Sequence, residues 1–221
     1  LNKPTVKPII NIDDLKRDLQ SISGDNSQKY SDLSQITFDS QFIETEILFS
    51  KQIVGNANST VSQLISKLDN SDWVKGGLQY LPKEQTQENE TCPFCQEKTI
   101  SNNLVESIKS YFDASFEADI NALKTYSEKY SQAIQNIPSK SVFEANPKFE
   151  TYKKDFEIKY SAFIKVVEAN KKLIDDKIKT ASVPVTLKSS VKSLEGINEV
   201  IQKINELVAE HNKNIDQKAT V

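Results

Sequence analysis

Residues 194–215, LEGINEVIQKINELVAEHNKNI, decide the fold. Seven positions in this stretch follow one another at alternating steps of three and four residues: Leu194, Ile197, Ile201, Ile204, Val208, His211 and Ile215. This is the spacing of a coiled-coil seam, in which one stripe of a helix packs against a neighbouring helix. The stretch therefore predicts a long helix with one continuous packing stripe.

Two more apolar stripes with helical spacing precede this one. The first covers residues 104–137 and the second covers residues 149–181, and a proline follows each of them. At a rise of about 1.5 Å per residue, each helix would be about 50 Å long. Consecutive long helices with short connections pack antiparallel. We therefore predict an elongated, antiparallel bundle of long helices over residues 101–221.

Start signals accompany both of these stripes. Asn103 and Glu106 form a cap-like box at the first, and Asn146-Pro147 places a cap before a first-turn proline at the second. The chain has five glycines and seven prolines in 221 residues, too few for the many turns of a β-sandwich. The predicted fold class is therefore all-α.

The first hundred residues predict shorter elements. Helices are expected over residues 11–23, 38–54, 61–68 and 70–81. A polar loop then leads into the only two cysteines of the chain, Cys92 and Cys95. We predict two regions: residues 1–100, with short helices and a small cysteine knob, and residues 101–221, with the long-helix bundle.

Composition narrows the functional classes. The net charge is −3, and Arg17 is the only arginine. Because bidentate contacts to guanine edges and phosphates depend largely on arginine, sequence-specific nucleic-acid binding is not expected. No apolar run approaches the roughly 20 residues of a membrane span, and a single close cysteine pair suits a reducing cytoplasm. The chain starts at Leu1 and contains no methionine, so we expect a piece of a larger protein.

The two cysteines are the candidate metal ligands. They lie two residues apart in TCPFCQ, residues 91–96. Two thiolates at this spacing can occupy two corners of a zinc tetrahedron, with Zn–S distances of about 2.3 Å. A structural zinc site needs four ligands, and the chain has no third cysteine and only one histidine. We therefore predict half a zinc site, completed by Cys92 and Cys95 of a second copy in a homodimer.

Two other interpretations of the cysteine pair stay open at this point. C-x-x-C is also a motif of thiol–disulfide catalysts, and Cys-Pro-Phe-Cys occurs in glutaredoxin-type active sites. That fold places a buried strand before the motif, whereas residues 83–90 are polar and acidic and predict no strand. Glu90 and Glu97 would also disfavour a reactive thiolate. The third interpretation is an incidental pair in a loop.

Three motifs in order suggest a family. Trp73-Val74-Lys75-Gly76-Gly77-Leu78 comes first, Cys-Pro-Phe-Cys-Gln follows at 92–96, and INELVAEHN stands at 204–212. This arrangement resembles the helical insert of a bacterial family of SMC-like P-loop ATPases, which includes the ATPase parts of anticodon nucleases and of other mobile-element or defence proteins. The resemblance implies a long coiled-coil region between the two halves of an ATPase head.

The resemblance also implies roles for single residues. Cys92 and Cys95 would be zinc-hook-like thiolates, and Trp73 and Leu78 would pack at the base of the knuckle. His211, with the asparagine that follows it, would lie on the returning arm. A repair-type zinc hook sits at the tip of two equal arms, whereas the three longest predicted helices here all follow the cysteines. The hook would therefore be a knob beside a bundle.

The other polar side chains have simpler interpretations. His211 on a seam is interpreted as a register-setting residue or as a contact to a partner. A group of lysines in the second long stripe alternates with acidic residues, which predicts a solvated and internally compensated helix face rather than a nucleic-acid surface. Those lysines are Lys153, Lys154, Lys171, Lys172, Lys177 and Lys179.

These observations lead to one expected function and two alternatives. No Gly-x-x-x-x-Gly-Lys-Ser/Thr loop is present, and none of the five glycines precedes a lysine. We expect a non-catalytic coiled-coil and zinc-hook-like region that dimerises and spaces a larger cytoplasmic ATPase. Its head domains would lie in the same parent chain, with no membrane contact and with nucleic acid reached only through the parent. The alternatives are a metal-free helical scaffold for a protein partner and a redox-active dithiol protein.

Overall fold

A computed structural model of the protein describes residue 12 and residues 28–81, 89–93 and 95–219. Apart from two short strands, the regular elements of these residues are helical, which confirms the predicted all-α class. The α-helices are α1 (Ile47–Ser50), α2 (Ser62–Leu68), α3 (Ser71–Gly77), α4 (Asn102–Tyr111), α5 (Ala114–Gln135), α6 (Lys140–Glu144), α7 (Lys153–Lys179) and α8 (Val191–Ala219). Short 3₁₀-helices cover Gln41–Thr45, Leu78–Tyr80 and Phe149–Tyr152, and the strands are β1 (Asn89–Glu90) and β2 (Ile100–Ser101). The helix predicted over residues 11–23 lies outside the described residues, apart from Ile12.

The chain forms two compact units, and each unit combines segments that are distant in sequence. Unit 1 comprises Leu1–Thr37, Pro138–Ser161 and Ser193–Val221, and unit 2 comprises Phe38–Ile137 and Ala162–Lys192. The division predicted between residues 100 and 101 follows the chain. Both units, by contrast, draw on residues from each side of that point.

An aromatic cluster forms the interior of unit 1. The ring of Phe156 lies 4.8 Å from that of Phe143, 5.1 Å from that of Phe149 and 5.6 Å from that of Tyr160, measured between centroids. The three phenylalanines are buried, and the Tyr160 hydroxyl donates to the Pro138 carbonyl at 2.9 Å. Each large ring removes about 150–250 Å² from water, so this cluster contributes strongly to the stability of the unit.

The seam predicted in α8 is buried as expected. Ile197, Ile201, Ile204 and Val208 have no exposed surface, and Leu194 is nearly covered. The seam then reaches the surface, because His211 and Ile215 are only half-buried. Five of the seven predicted positions therefore belong to the core.

The interior of unit 2 contains hydrogen-bonded polar groups. The Glu44 carboxylate accepts from the Tyr130 hydroxyl at 2.8 Å and from the Ser190 backbone N–H at 2.7 Å. Asn170 donates to the Tyr130 hydroxyl at 3.1 Å, and Ser127 of α5 donates to Asp175 of α7 at 2.9 Å. The later residue of α5, Tyr130, contacts the earlier residue of α7, Asn170. The two helices therefore run antiparallel over this part of α7.

The single helix predicted over residues 38–54 is wrong. A 3₁₀-helix and α1 occupy this stretch, and Glu46 between them is extended, with φ −67° and ψ 128°. The Glu44 side chain is drawn into the core, and the backbone after α1 pairs with another segment. The Ile53 N–H donates to the Ala181 carbonyl at 3.1 Å, and the Val185 N–H donates to the Phe49 carbonyl at 2.8 Å. These tertiary bonds replace the helical ones.

The helix predicted over residues 103–137 is interrupted. Asp113 begins a new helix, because its carboxylate accepts from the N–H groups of Ser115 and Phe116 at 3.0 and 3.1 Å. The break leaves the Tyr111 carbonyl available, and it accepts from the Asn56 N–H at 2.7 Å. The predicted cap at Asn103 is also wrong, since the Ser101 hydroxyl accepts from the Leu104 N–H instead.

Candidate metal centre

The cysteines lie in a tight turn carried by a β-hairpin. Strands β1 and β2 pair antiparallel, with Asn89 opposite Ser101 and Glu90 opposite Ile100. Inside the hairpin, the Cys92 N–H donates to the Glu97 carbonyl at 2.8 Å. The prediction that no strand precedes the cysteines is therefore wrong by two residues, because pairing of the backbone on both sides of the turn makes Asn89 and Glu90 a short strand.

The turn closes directly after the second cysteine. The Gln96 N–H donates to the Cys92 carbonyl at 2.9 Å, and Gln96 itself has φ 64°, in the left-handed region. A side chain in that region costs free energy relative to glycine, so the surrounding bonds must hold it there. Its side-chain amide donates to the Pro93 carbonyl at 3.0 Å, which stabilises the turn further.

The two thiols differ in exposure. Cys92 is half-buried and Cys95 is exposed. The Cys95 sulfur lies 3.8 Å from the Thr99 hydroxyl, which can donate a hydrogen bond to a thiolate. The turn thus fixes both cysteine backbones and leaves the Cys95 sulfur accessible to a ligand or to another molecule.

The described residues supply two thiolates and no further ligands at this place. No group of three or more His, Cys, Asp or Glu side chains that could hold a metal occurs among them. Cys92 and Cys95 fit one half of the four-thiolate set that a structural zinc ion takes. A closed zinc site on this hairpin would need its remaining ligands from another molecule.

His211 belongs to unit 1, whereas the cysteines belong to unit 2. Its ring stacks on the ring of Tyr30, with centroids 4.4 Å apart and an angle of 7° between the planes. Its Nε2 lies 3.1 Å from the Gln28 carbonyl. The partner that His211 faces is therefore a segment of its own chain.

The structure does not bury Trp73 beneath the knuckle. Its side chain is 64% exposed, so it is not a buried base for the knuckle. Leu78 is half-buried and begins the 3₁₀-helix that follows α3. The reason lies in α3 itself, whose buried residue, Ser71, is on the other side of the helix from Trp73.

Lys177 also departs from its predicted solvated position. It is fully buried, and its ammonium group donates to the carbonyls of Lys51 and Ala181 at 2.6 Å each and of Val183 at 2.9 Å. Burial lowers the pKa of Lys177 below its ordinary value, and the charge of Asp72 opposes that change. This lysine joins the backbone at Lys51 to the segment 181–183 of unit 2 and is not part of a charged face.

Sequence reasoning also missed a row of asparagines on α8. Asn198, Asn205 and Asn212 each form two hydrogen bonds with one residue of the segment 28–36. The side-chain oxygens accept from the N–H groups of Ile36, Leu33 and Tyr30 at 2.9, 2.8 and 3.0 Å, and the side-chain amides donate to the carbonyls of the same residues at 3.0, 2.9 and 2.9 Å. The signal was in the sequence, because the asparagines are seven residues apart and adjoin the apolar seam.

Nearly the whole chain matches a protein-family model. The model is described as an AAA domain, and the match covers residues 2–220. The chain belongs to this family. The match supports the P-loop ATPase part of the predicted resemblance, at the level of an AAA-type ATPase family. No curated protein and no solved structure matches the chain.

Among the residues that the structure describes, every helix is too short or too polar to span a membrane.

Proposed function

We propose that this chain is a non-catalytic helical region of a larger P-loop ATPase, and that its cysteine hairpin joins two copies by sharing one zinc ion. The observation that carries the proposal is the hairpin turn, which holds Cys92 and Cys95 two residues apart with the Cys95 sulfur exposed. Zinc, when bound, would supply a structural link with no catalytic chemistry. The hairpin of each copy would contribute two of its four thiolates.

Family membership and sequence together support the non-catalytic part. The family is one of AAA-type ATPases, yet the chain contains no glycine-rich loop with the lysine that phosphate binding by a P-loop requires. Helices of 27 and 29 residues, α7 and α8, suit a spacer. In this proposal the ATPase head belongs to the parent protein, which acts in the cytoplasm and reaches nucleic acid without direct contacts from this region.

Zinc content and oligomeric state test the proposal together. The chain would be purified with zinc, and the metal per chain and the molar mass in solution would be measured for the wild type, Cys92→Ser and Cys95→Ser. Thr91→Ala is the matched control, since Thr91 is an exposed hairpin residue that carries no thiol. We expect one zinc per two chains and a dimer for the wild type and the control, and metal-free monomers for both serine variants.

Other results would contradict the proposal. Dimers that persist without zinc in the serine variants would favour association through another surface. Monomers without zinc in the wild type would remove the joining role of the hairpin. Turnover of a disulfide substrate that depends on both cysteines would favour the redox interpretation instead.

A metal-free scaffold for a protein partner is the second candidate, and one observation favours it. Two neighbouring short helices and the 3₁₀-helix after them expose large apolar side chains: Leu64 at 60%, Leu68 at 56%, Trp73 at 64% and Tyr80 at 66%. Beside them, a Cβ added at Gly76 or Gly77 would meet no atom within 4 Å. Exposed apolar side chains that lie together mark protein-binding surfaces, and the two glycines leave room for a partner to approach the backbone.

A further inference from the structure

The segment 28–36 binds α8 through backbone groups. The asparagines at 198, 205 and 212 hold residues 36, 33 and 30, so the segment runs antiparallel to the helix. Seven helical residues advance about 10.5 Å, and three residues of extended chain advance about 9–11 Å. The two advances are equal within error of these values. Every seventh residue of α8 therefore lies beside every third residue of the extended segment.

Only one side of this segment is covered by the rest of unit 1. Ile36 is buried, and Leu33 and Tyr30 are half-buried, whereas the two residues between each of these positions are exposed. A cleft of about 430 Å³ lies between the segment and residues 138–147. The cleft limits the packing of the segment on this side, where the Asn146 amide donates to the Ser31 carbonyl at 3.0 Å.

The far end of the segment is held at the surface. Tyr30 stacks on His211, and Lys148 lies 5.8 Å from the centre of the Tyr30 ring. Lys29 forms an ion pair with Asp216 at 2.5 Å, and both side chains are more than half exposed. Exposed contacts of this kind contribute little to stability, because water and salt compete for the charged groups. The aromatic cluster around Phe156 uses none of these residues.

We propose that residues 28–36 form a releasable strap, which the asparagines of α8 clamp by its backbone and which opens as one unit while the aromatic cluster of unit 1 stays folded. Six of the nine strap residues are exposed, and Ile36 at its end is the one fully buried side chain. Segments with few buried apolar contacts open at low free-energy cost. Release uncovers the asparagine face of α8 and exposes the backbone groups of Tyr30, Leu33 and Ile36. The strap is thus a conformational device that does not depend on the cysteine hairpin or on zinc.

Amide hydrogen exchange by NMR tests the strap on the full chain. The amides of Tyr30, Leu33 and Ile36 donate into the clamp, and Asn205→Ala removes the middle pair of bonds. Alanine favours the helix, so α8 itself is not weakened. We expect all three amides to exchange about tenfold faster or more, while residues 153–161 of unit 1 keep their rates. Asn214→Ala, at an exposed position of α8, is the matched control and should change none of them.

Three results would overturn the proposal. Faster exchange at Leu33 alone would mean that the clamp does not open as a unit. Equal acceleration in residues 153–161 would make the strap an ordinary part of the core. Equal effects of Asn205→Ala and Asn214→Ala would show that the asparagines do not hold the strap. If Asn205→Ala fails to fold, Asn212→Ala at the end of the clamp gives the same readout, with all three amides again expected to accelerate.

Discussion

Units 1 and 2 are both helical, but they bury different chemistry. In unit 1 the interior combines a cluster of aromatic rings with the aliphatic seam of α8, and the asparagine clamp lies at the edge, half-buried. In unit 2 the interior includes charged and amide side chains, namely Glu44, Asn170 and Lys177. Among the described residues, Asn146 is the one buried polar side chain of unit 1, and the others belong to unit 2. Apolar stripes therefore specify most of the core of unit 1. The core of unit 2 also depends on hydrogen bonds that satisfy its buried polar side chains.

Truncating the centre of the aromatic cluster should have the largest effect. Phe156→Ala removes a ring with no exposed surface that touches three others. We expect a loss of about 3–5 kcal/mol in the free energy of unfolding, because a buried cavity replaces the ring. Urea denaturation measures it. Ile158→Ala on the same helix is the control, since Ile158 is 57% exposed and should change stability little.

Removing the buried ammonium should cost somewhat less. Lys177→Met keeps the aliphatic length but leaves three carbonyls of unit 2 without their donor, so we expect a loss of about 2–4 kcal/mol. Lys179→Met is the matched control, because the Lys179 side chain is 73% exposed. Equal unfolding midpoints for the two variants would contradict a structural role for Lys177 and weaken the contrast between the units.

Removing one hydroxyl from the polar core should have the smallest effect, and that effect should depend on pH. Tyr130→Phe deprives Glu44 of a donor, for a loss of about 1–2 kcal/mol at neutral pH. Burial, together with the Glu44 carboxylate, raises the pKa of Tyr130 above its ordinary 10.0, although the Asn170 hydrogen bond opposes this. The folded chain therefore keeps the phenol proton at a pH where the unfolded chain loses it.

The sign of the pH dependence follows from that difference in bound protons. Stability contributed by Tyr130 is fully present below about pH 10 and is lost as the pH rises further. The difference between the wild type and Tyr130→Phe should therefore shrink above about pH 10 in urea titrations. Tyr152→Phe serves as the control for general alkaline effects. A difference in unfolding free energy between the wild type and Tyr130→Phe that grows with pH would contradict this role of the Tyr130 hydroxyl.

The sequence predicted the long elements well because their apolar residues repeat at helical spacing. The stripe from Phe149 to Ala181 lies on α7 and the segments that flank it, and the seam of α8 is buried over five of its seven positions. Periodicity reports which face of a helix avoids water, and that preference survives in any packed helical fold. These helices could therefore be predicted without knowing which segments they pack against.

The errors occur where tertiary hydrogen bonds override local preference. Glu44 reads as a surface residue, but it is buried because Tyr130 and Ser190 satisfy it from distant segments. Lys177 alternates with acids like its neighbours, yet three carbonyls surround it. No local pattern reveals such partners. For the candidate site, the spacing of Cys92 and Cys95 predicts a ligand pair, which stays a prediction, whereas the hairpin that carries the two cysteines is visible only in the structure.

Native mass spectrometry of the zinc-loaded chain shows whether one zinc ion joins two cysteine hairpins. We predict a species with the mass of two chains of 24.9 kDa and one zinc ion, which chelation of the metal converts to single chains. A chain that stays monomeric with zinc in excess, or a dimer whose mass includes no metal, would contradict it.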